Sequence, residues 1–104
     1  MKLSDIVHIL NGGTKIENFK HTIKDEIAVY IKCLEKKGSS CSIILDEDCR
    51  FAFKKDHLIR LSNYFLNNEL TEIEVNYIVD ALTLAESVYY ESEFLVEKLE
   101  EYKV

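Results

Sequence analysis

The sequence predicts a single mainly helical α+β domain, residues 1–104, with four to five helices and a small β-hairpin at about residues 42–53. Three observations predict this class. Apolar residues recur every three or four positions over most of the chain, no proline interrupts this pattern, and two short β-branched or aromatic runs flank an acidic turn. The length suits one domain, and no linker-like segment divides it.

The sequence of the first third of the chain predicts two helices. Ser4 is a potential N-cap for the first, and Asn11–Gly13 favours its end. Thr14 and Glu17 have the spacing of a capping box, which predicts the start of a longer second helix. The β-branched residues of Ile23–Cys33 also permit a strand, but the apolar period of three to four favours the helix.

The middle of the chain predicts a hairpin followed by a third helix. Ser42–Leu45 and Phe51–Phe53 are short apolar runs, and Asp46–Asp48 between them is a turn-forming acidic cluster. Asp56 is a potential cap for the helix that follows. Asn67-Asn68 predicts the end of that helix, because asparagine accepts the left-handed conformation.

The last third predicts two more helices with a break between them. Thr71 and Glu74 form a second capping-box pattern ahead of a long apolar-periodic segment. Val88–Tyr90 interrupts the helical pattern and is compatible with a short strand. Ser92 is the best potential cap of the final helix.

The composition gives no support to catalysis or to a cofactor. The three cysteines (Cys33, Cys41 and Cys49) are odd in number and form no CxxC pair, so we expect reduced thiols in a cytoplasmic protein. The sequence contains no phosphate-binding loop, nucleophile elbow or zinc-protease motif. We expect no enzymatic activity, no metal and no cofactor, and we expect neither a secretory signal nor a membrane span.

Charge is distributed unevenly along the chain. Residues 69–104 carry ten acidic residues and two lysines, a net charge of −8, whereas the first 68 residues carry 11 bases and nine acids, or +2; together they give the −6 of the whole chain. An acidic surface repels nucleic acid and anionic membranes, and it attracts basic proteins. The charge pattern therefore favours a basic protein partner, without direct binding to nucleic acid or membrane.

The acidic residues near the C-terminus are interleaved with tyrosines, which offer contact area with few rotatable bonds. The alternative is an ordinary solvated helix whose tyrosines face the core. Carboxylates next to aromatic rings suit a protein-binding surface for a basic partner. The candidate partner-binding residues are Tyr90, Glu91, Glu93, Glu97 and Glu100, with Asp46, Glu47 and Asp48 as a second patch.

Two adjacent stretches, His57–Leu66 and Leu70–Leu84, resemble a pattern in small bacterial immunity proteins that are encoded with polymorphic toxins, including those of contact-dependent growth inhibition. The pattern is Leu-Thr-x-x-Glu followed by Tyr-Ile-x-Asp-Ala-Leu, and the resemblance extends from Asp56 to about Tyr102. It implies a small, acidic, cytoplasmic, non-catalytic inhibitor, and many of the toxins concerned are basic nucleases. No partner-binding residue carries over position by position.

These observations together lead us to expect an immunity protein that binds and neutralises a cognate toxin through an acidic, tyrosine-containing surface. The alternatives are an acidic regulator that mimics nucleic acid, another small protein-binding adaptor, and a homodimer formed through the C-terminal helix. We expect a monomer or weak homodimer when the protein is free of its partner.

Overall fold

The computed structural model describes residues 1–36 and 43–101. These residues form five helices, α1 (Leu3–Leu10), α2 (Ile16–Leu34), α3 (Lys55–Leu66), α4 (Glu72–Leu84) and α5 (Glu93–Glu100), and two strands, β1 (Phe51–Phe53) and β2 (Val88–Tyr90). The mainly helical α+β class predicted from the sequence is confirmed. The segment Ile23–Cys33 is helical, and the segment Val88–Tyr90 is a strand.

The sheet has a different topology from the predicted hairpin. β1 pairs with β2 in parallel, with Phe51 opposite Val88 and Phe53 opposite Tyr90. The predicted first arm forms no strand at residues 43–45, and Ser42 lies outside the described residues. A parallel pair needs a long crossover connection, and α3 and α4 provide it.

The first residue of the predicted acidic turn pairs instead with the start of the chain. The backbone N–H of Asp46 donates to the Met1 carbonyl over 2.8 Å, and the Leu3 N–H donates to the Asp46 carbonyl over 2.8 Å. These bonds form an isolated parallel bridge between Lys2 and Asp46. The acidic stretch after Leu45 therefore does not fold the chain back on itself, and the hairpin prediction is wrong at this point.

The two predicted capping boxes have different outcomes. At the start of α4, the Glu74 N–H donates to Thr71 Oγ1 over 3.2 Å and the Thr71 N–H donates to Glu74 Oε1 over 2.8 Å, as predicted. At the start of α2, Lys15 is the extended N-cap residue and no side chain caps the helix. Thr14 lies one position too early to cap the first turn.

The structure also differs from three further capping predictions. Ser4 and Asp56 lie inside α1 and α3, whose N-cap residues are Lys2 and Lys54. Ser92 is the N-cap residue of α5 but its side chain makes no capping hydrogen bond. The predicted helix ends agree better with the structure, since Asn68 has a φ of 60° after α3.

The core lies between the helices and one face of the sheet. Helix α4 is its centre and packs against α2, α3 and α5. Burial of apolar area of this kind is the main favourable term in folding. The largest fully buried side chains are Leu3, Ile6, Ile9, Leu10, Ile23, Phe53, Leu61, Leu70, Val75, Ile78, Leu82 and Leu99.

Two tyrosines link α2 to α4 through hydrogen bonds at the edge of this core. Tyr30 donates to Asp80 over 2.9 Å and Tyr77 donates to Glu26 over 3.0 Å, while the two rings meet edge-on at 5.0 Å. Burial, with the bond to Asp80, raises the pKa of Tyr30 to about 12. Both hydroxyls are therefore protonated donors that hold the two helices in register.

His57 caps the start of α3 in place of the predicted Asp56. Its Nδ1 accepts the Lys54 N–H over 2.9 Å, and its Nε2 lies 2.8 Å from Asn11 Oδ1. This arrangement requires a neutral ring with its proton on Nε2. Burial, and then the nearby charge of Lys54, lower the pKa of His57.

Acidification is expected to weaken the fold through His57. Because the folded-state pKa lies below the ordinary 6.5, this contribution to stability is complete above that value. It is lost as pH falls through the folded-state pKa, because protonated Nδ1 no longer accepts the Lys54 N–H. The lost hydrogen bond contributes about 0.5–1.5 kcal/mol. The measurement is urea denaturation of the wild type and of His57→Asn between about pH 7.5 and pH 5.

Asparagine keeps an acceptor oxygen but does not titrate, so the difference in stability between wild type and His57→Asn should change with pH. The exposed His21 provides the matched control. The free energy of unfolding of His21→Asn should change with pH in parallel with that of the wild type. A His57→Asn curve that also runs parallel to the wild type would contradict this role.

The cysteines differ from one another in state. Cys33 is disulfide-bonded and Cys49 is a free, half-buried thiol. The expectation that all three thiols are reduced is therefore wrong, because an odd number of cysteines does not exclude a disulfide. Burial raises the pKa of the Cys49 thiol, which makes it a weaker nucleophile at neutral pH. Within residues 1–36 and 43–101, no helix has the length and apolar character needed to cross a bilayer.

Candidate interaction surface on helix α5

Helix α5 presents a row of carboxylates to solvent because its apolar residues fix its orientation. Leu95 and Leu99 are four residues apart, so they share one face, and both are buried in the core. At 100° per residue, the glutamates fall on the opposite side of the helix. We call these residues, Glu93, Glu97, Glu100 and Glu101, the α5 acidic face; all four are exposed.

Most of the charge on the α5 acidic face is uncompensated. Glu101 pairs with Lys98 over 3.4 Å. Among the described residues, no ion pair reaches Glu93, Glu97 or Glu100. Carboxylates held close together on one helix face repel each other, so a basic partner that covers them relieves this repulsion.

The two tyrosines of β2 point in opposite directions. Successive side chains alternate across a strand, which leaves Tyr89 55% exposed and Tyr90 half-buried. Tyr90 donates its hydroxyl to the Leu82 carbonyl over 2.9 Å, and its ring lies 5.7 Å from that of Phe53. Burial raises the pKa of Tyr90 to about 12. The structure thus places the predicted contact residue Tyr90 in packing and the neighbouring Tyr89 at the surface.

Glu91 lies apart from the α5 acidic face. Its backbone N–H donates to the Phe53 carbonyl over 3.0 Å, which extends the sheet by one bond. Its side chain lines a shallow hollow of about 350 Å³ with Lys54, Lys55 and Asp56. The two nearby lysines reduce the negative potential at Glu91 relative to that of α5.

The second predicted patch, Asp46, Glu47 and Asp48, is exposed but contributes hydrogen bonds within the fold. Asp48 accepts the Ser4 N–H over 2.9 Å and the Ser4 hydroxyl over 2.6 Å, so it caps α1 from a distant part of the chain. The bond from the Ser4 hydroxyl is the main reason that the pKa of Asp48 is lowered. Glu47 accepts the Ser87 N–H over 2.7 Å just before β2.

A groove between α3 and α5 adjoins the α5 acidic face, and it was not predicted from the sequence. We call it the α3–α5 groove: Leu58 and Ser62 line it from α3, while Phe94, Lys98 and Glu101 line it from α5. Its volume is about 440 Å³. The signal in the sequence is Phe94, an apolar residue that the helical period places about 100° away from buried Leu95.

Helix α3 carries two further exposed apolar side chains outside the α3–α5 groove. Ile59 and Leu66 are seven residues apart and therefore lie on one side of α3, where Ser62 also lies. Leu66 is 72% exposed and Ile59 is exposed as well. Buried Leu61 lies on the other side of α3. Helix α3 consequently has a second apolar stripe that the described residues leave uncovered.

No set of three histidine, cysteine, aspartate or glutamate side chains in the described ranges is placed to hold a metal ion. Comparison of the chain with models of protein families, with curated proteins and with solved structures gives no match. The α5 acidic face and the α3–α5 groove beside it form the candidate functional site.

Proposed function

We propose that this protein is an immunity protein that binds a basic bacterial toxin domain and neutralises it in a stoichiometric complex. The observation that supports this proposal is the α5 acidic face, where Glu93, Glu97 and Glu100 have no ion-pair partner in the described part of the chain. The carboxylates are held by a helix that Leu95 and Leu99 fix to the core.

The spacing of these carboxylates suits arginine and lysine side chains of a folded partner. Residues one helical turn apart are separated by about 5.4 Å along the axis, so each carboxylate can meet a separate cation. Arginine is the best match because it donates two parallel hydrogen bonds to one carboxylate. Opposite potentials also accelerate the encounter, which matters for an inhibitor that must bind before its toxin acts.

A basic nuclease is the toxin class that fits best. Such an enzyme needs lysine and arginine near its substrate groove to hold phosphates. An acidic helix over those residues would occupy the place of the phosphates and exclude nucleic acid. The toxin would be inactive for as long as the complex persists.

The geometry gives less support to mimicry of a nucleic-acid duplex. Glu93 to Glu100 spans seven residues, or roughly 10 Å of helix, which matches only about three phosphates of one strand. The exposed ring of Phe94 beside the row also has no counterpart in a phosphate backbone. A protein–protein contact uses both the charges and the ring.

The proposal predicts a toxin domain encoded by an adjacent gene, and it is tested by co-expression with that candidate domain, with growth as the readout. Cells that express both proteins should grow, and the purified pair should elute as an equimolar complex. Raising the salt concentration from about 50 mM to about 500 mM should slow association, because exposed charges are then screened. Cell death despite co-expression would reject the immunity function.

Neutralising the α5 acidic face should slow association with that toxin domain. We expect the triple variant Glu93→Gln, Glu97→Gln, Glu100→Gln to associate at least about tenfold more slowly at low salt, and to lose most of the salt dependence. Stopped-flow fluorescence measures both quantities.

A matched control separates local charge from net charge. Glu17→Gln and Asp25→Asn in α2, with Glu35→Gln at its C-cap, remove three exposed acids, so the net charge changes equally. This control should retain near wild-type association. Equal slowing by both triple variants would show that net charge alone steers the partner, and that α5 is not the contact.

A further inference from the structure

We propose that the α3–α5 groove receives a basic amphipathic helix of the partner, with apolar side chains on Phe94 and Leu58 and with cations along the α5 acidic face. The proposal rests on the proposed function for the identity of the partner, but the docking chemistry follows from the groove itself. The proposal specifies how the partner helix lies on the acidic surface, with its apolar side toward the groove and its basic side toward α5.

Two of the five residues that line the groove, Leu58 and Phe94, are apolar, and both are accessible to solvent. Phe94 is 57% exposed although it is aromatic, and Leu58 beside it is only half-buried. Exposed apolar side chains that lie together, as Phe94 and Leu58 do in this groove, mark binding surfaces more often than isolated ones. A cavity of about 440 Å³ accommodates the large side chains of a helix that lies along it.

The two walls of the groove differ in chemistry. The α5 wall carries Phe94, Lys98 and Glu101, and Glu97 is exposed one turn before Glu101 on the adjoining α5 acidic face, whereas the α3 wall carries Leu58 and Ser62. A helix that is apolar on its buried stripe and basic on one flank satisfies both walls. A helix of reversed charge, or one that is apolar all round, would leave the α5 carboxylates unpaired or desolvated.

Lys98 already shows how this groove binds a cation. Its Nζ lies 5.3 Å from the centre of the Phe94 ring and 3.4 Å from both carboxylate oxygens of Glu101. An ammonium group between an aromatic face and a carboxylate is a favourable arrangement. An arginine or lysine of the partner would take this position, and Lys98 would turn out to solvent.

A second copy of this chain is a poor occupant. Symmetric pairing through the groove would bring two α5 acidic faces together, and the like charges would repel. Charge complementarity therefore selects a basic helix over self-association.

The test uses a synthetic peptide of about 15 residues, with leucines at i, i+4 and i+7 and arginines along one flank. The control peptide contains the same residues in an order that abolishes the apolar stripe. Fluorescence anisotropy measures affinity, and amide NMR shifts locate the site. We expect the amphipathic peptide to bind tighter by about tenfold or more and to shift Ser62, Phe94 and Lys98.

Variants of the groove make the test specific. Phe94→Ala should weaken peptide binding by about tenfold, whereas Leu84→Ala, which truncates another exposed apolar side chain on α4, should not change it. Lys98→Ala should tighten binding by roughly two- to fivefold, because the position beside Phe94 becomes free. Equal binding of the two peptides, shifts confined to other surfaces, or unchanged affinity of Phe94→Ala would each overturn the proposal.

The same variants separate this inference from the proposed function. If Phe94→Ala still protects cells from the toxin while the α5 charge variant does not, the immunity function stands and the groove is not the docking site. If peptide binding depends on Phe94 but no protection is seen, the groove binds basic helices and the toxin assignment fails. If the free protein forms a concentration-dependent dimer that Phe94→Ala abolishes, a second copy of the chain occupies the groove and the proposal of a partner helix is wrong.

Discussion

Replacing Phe53 by alanine is expected to lower the free energy of unfolding by about 3–5 kcal/mol. Phe53 has no solvent exposure, and its ring lies 5.7–6.1 Å from those of Phe51, His57 and Tyr90. The substitution therefore empties the point where β1, β2 and α3 meet. A domain of this size is stable by only about 5–15 kcal/mol, so the variant would lie near the limit of folding.

Urea denaturation followed by circular dichroism measures this effect, and the midpoint should fall by roughly 2 M. Phe94→Ala removes the same side chain from an exposed position and should cost less than about 1 kcal/mol. Similar losses for the two variants would contradict the burial described for Phe53.

Replacing Leu99 by alanine is expected to cost about 2–5 kcal/mol and to release α5 from the domain. Leu99 is fully buried and is one of the two leucines that fix this helix. An isolated helix shorter than about 12 residues is marginal in water, and α5 has eight. Without its anchor, α5 should unfold locally before the rest of the protein, and its carboxylates would lose their common face.

Hydrogen exchange distinguishes this local event from global unfolding. The amides of α5 should lose protection in Leu99→Ala while those of α4 keep most of theirs. Leu84→Ala, whose side chain is 68% exposed, is the matched control and should retain wild-type protection in both helices. Uniform loss of protection across α4 and α5 would show that α5 has no separate stability.

Local sequence signals predicted those elements whose stabilising bonds are local. The Thr71–Glu74 capping box joins groups three residues apart, so its pattern is visible in the sequence. The apolar period of three to four residues predicted α2 over the β-branched alternative for the same physical reason. The solvent-facing glutamates of α5 follow from their offset relative to Leu95 and Leu99.

Features that depend on distant parts of the chain escaped prediction. Asp48 caps α1 across 44 residues, and Asn11 meets His57 across 46. No spacing rule reports such pairs, because the chain between them can be of any length. The burial of Tyr90 also could not be predicted, because alternation along a strand does not show which of its two faces packs against the core.

The candidate site also combines features that are local in sequence with features that depend on long-range packing. The acidic residues of α5 were identified from composition, but the α3–α5 groove exists only because two helices that are distant in sequence pack together. Leu58 and Phe94 are separated by more than thirty residues, and each alone reads as an ordinary apolar residue of an amphipathic helix.

The parallel pairing of the strands has a consequence for the order in which the chain folds. The 34 residues between Phe53 and Val88 (88 − 53 − 1) must close into a loop before the first bond of the sheet forms. Such a closure costs roughly 3 kcal/mol of chain entropy plus a constant, which strands of three residues recover slowly. Packing of α3 on α4 shortens the effective loop, so we expect the helices to assemble first and to bring the strands together. We then expect the sheet to be the last part of the fold to close, together with α5, which follows β2 directly.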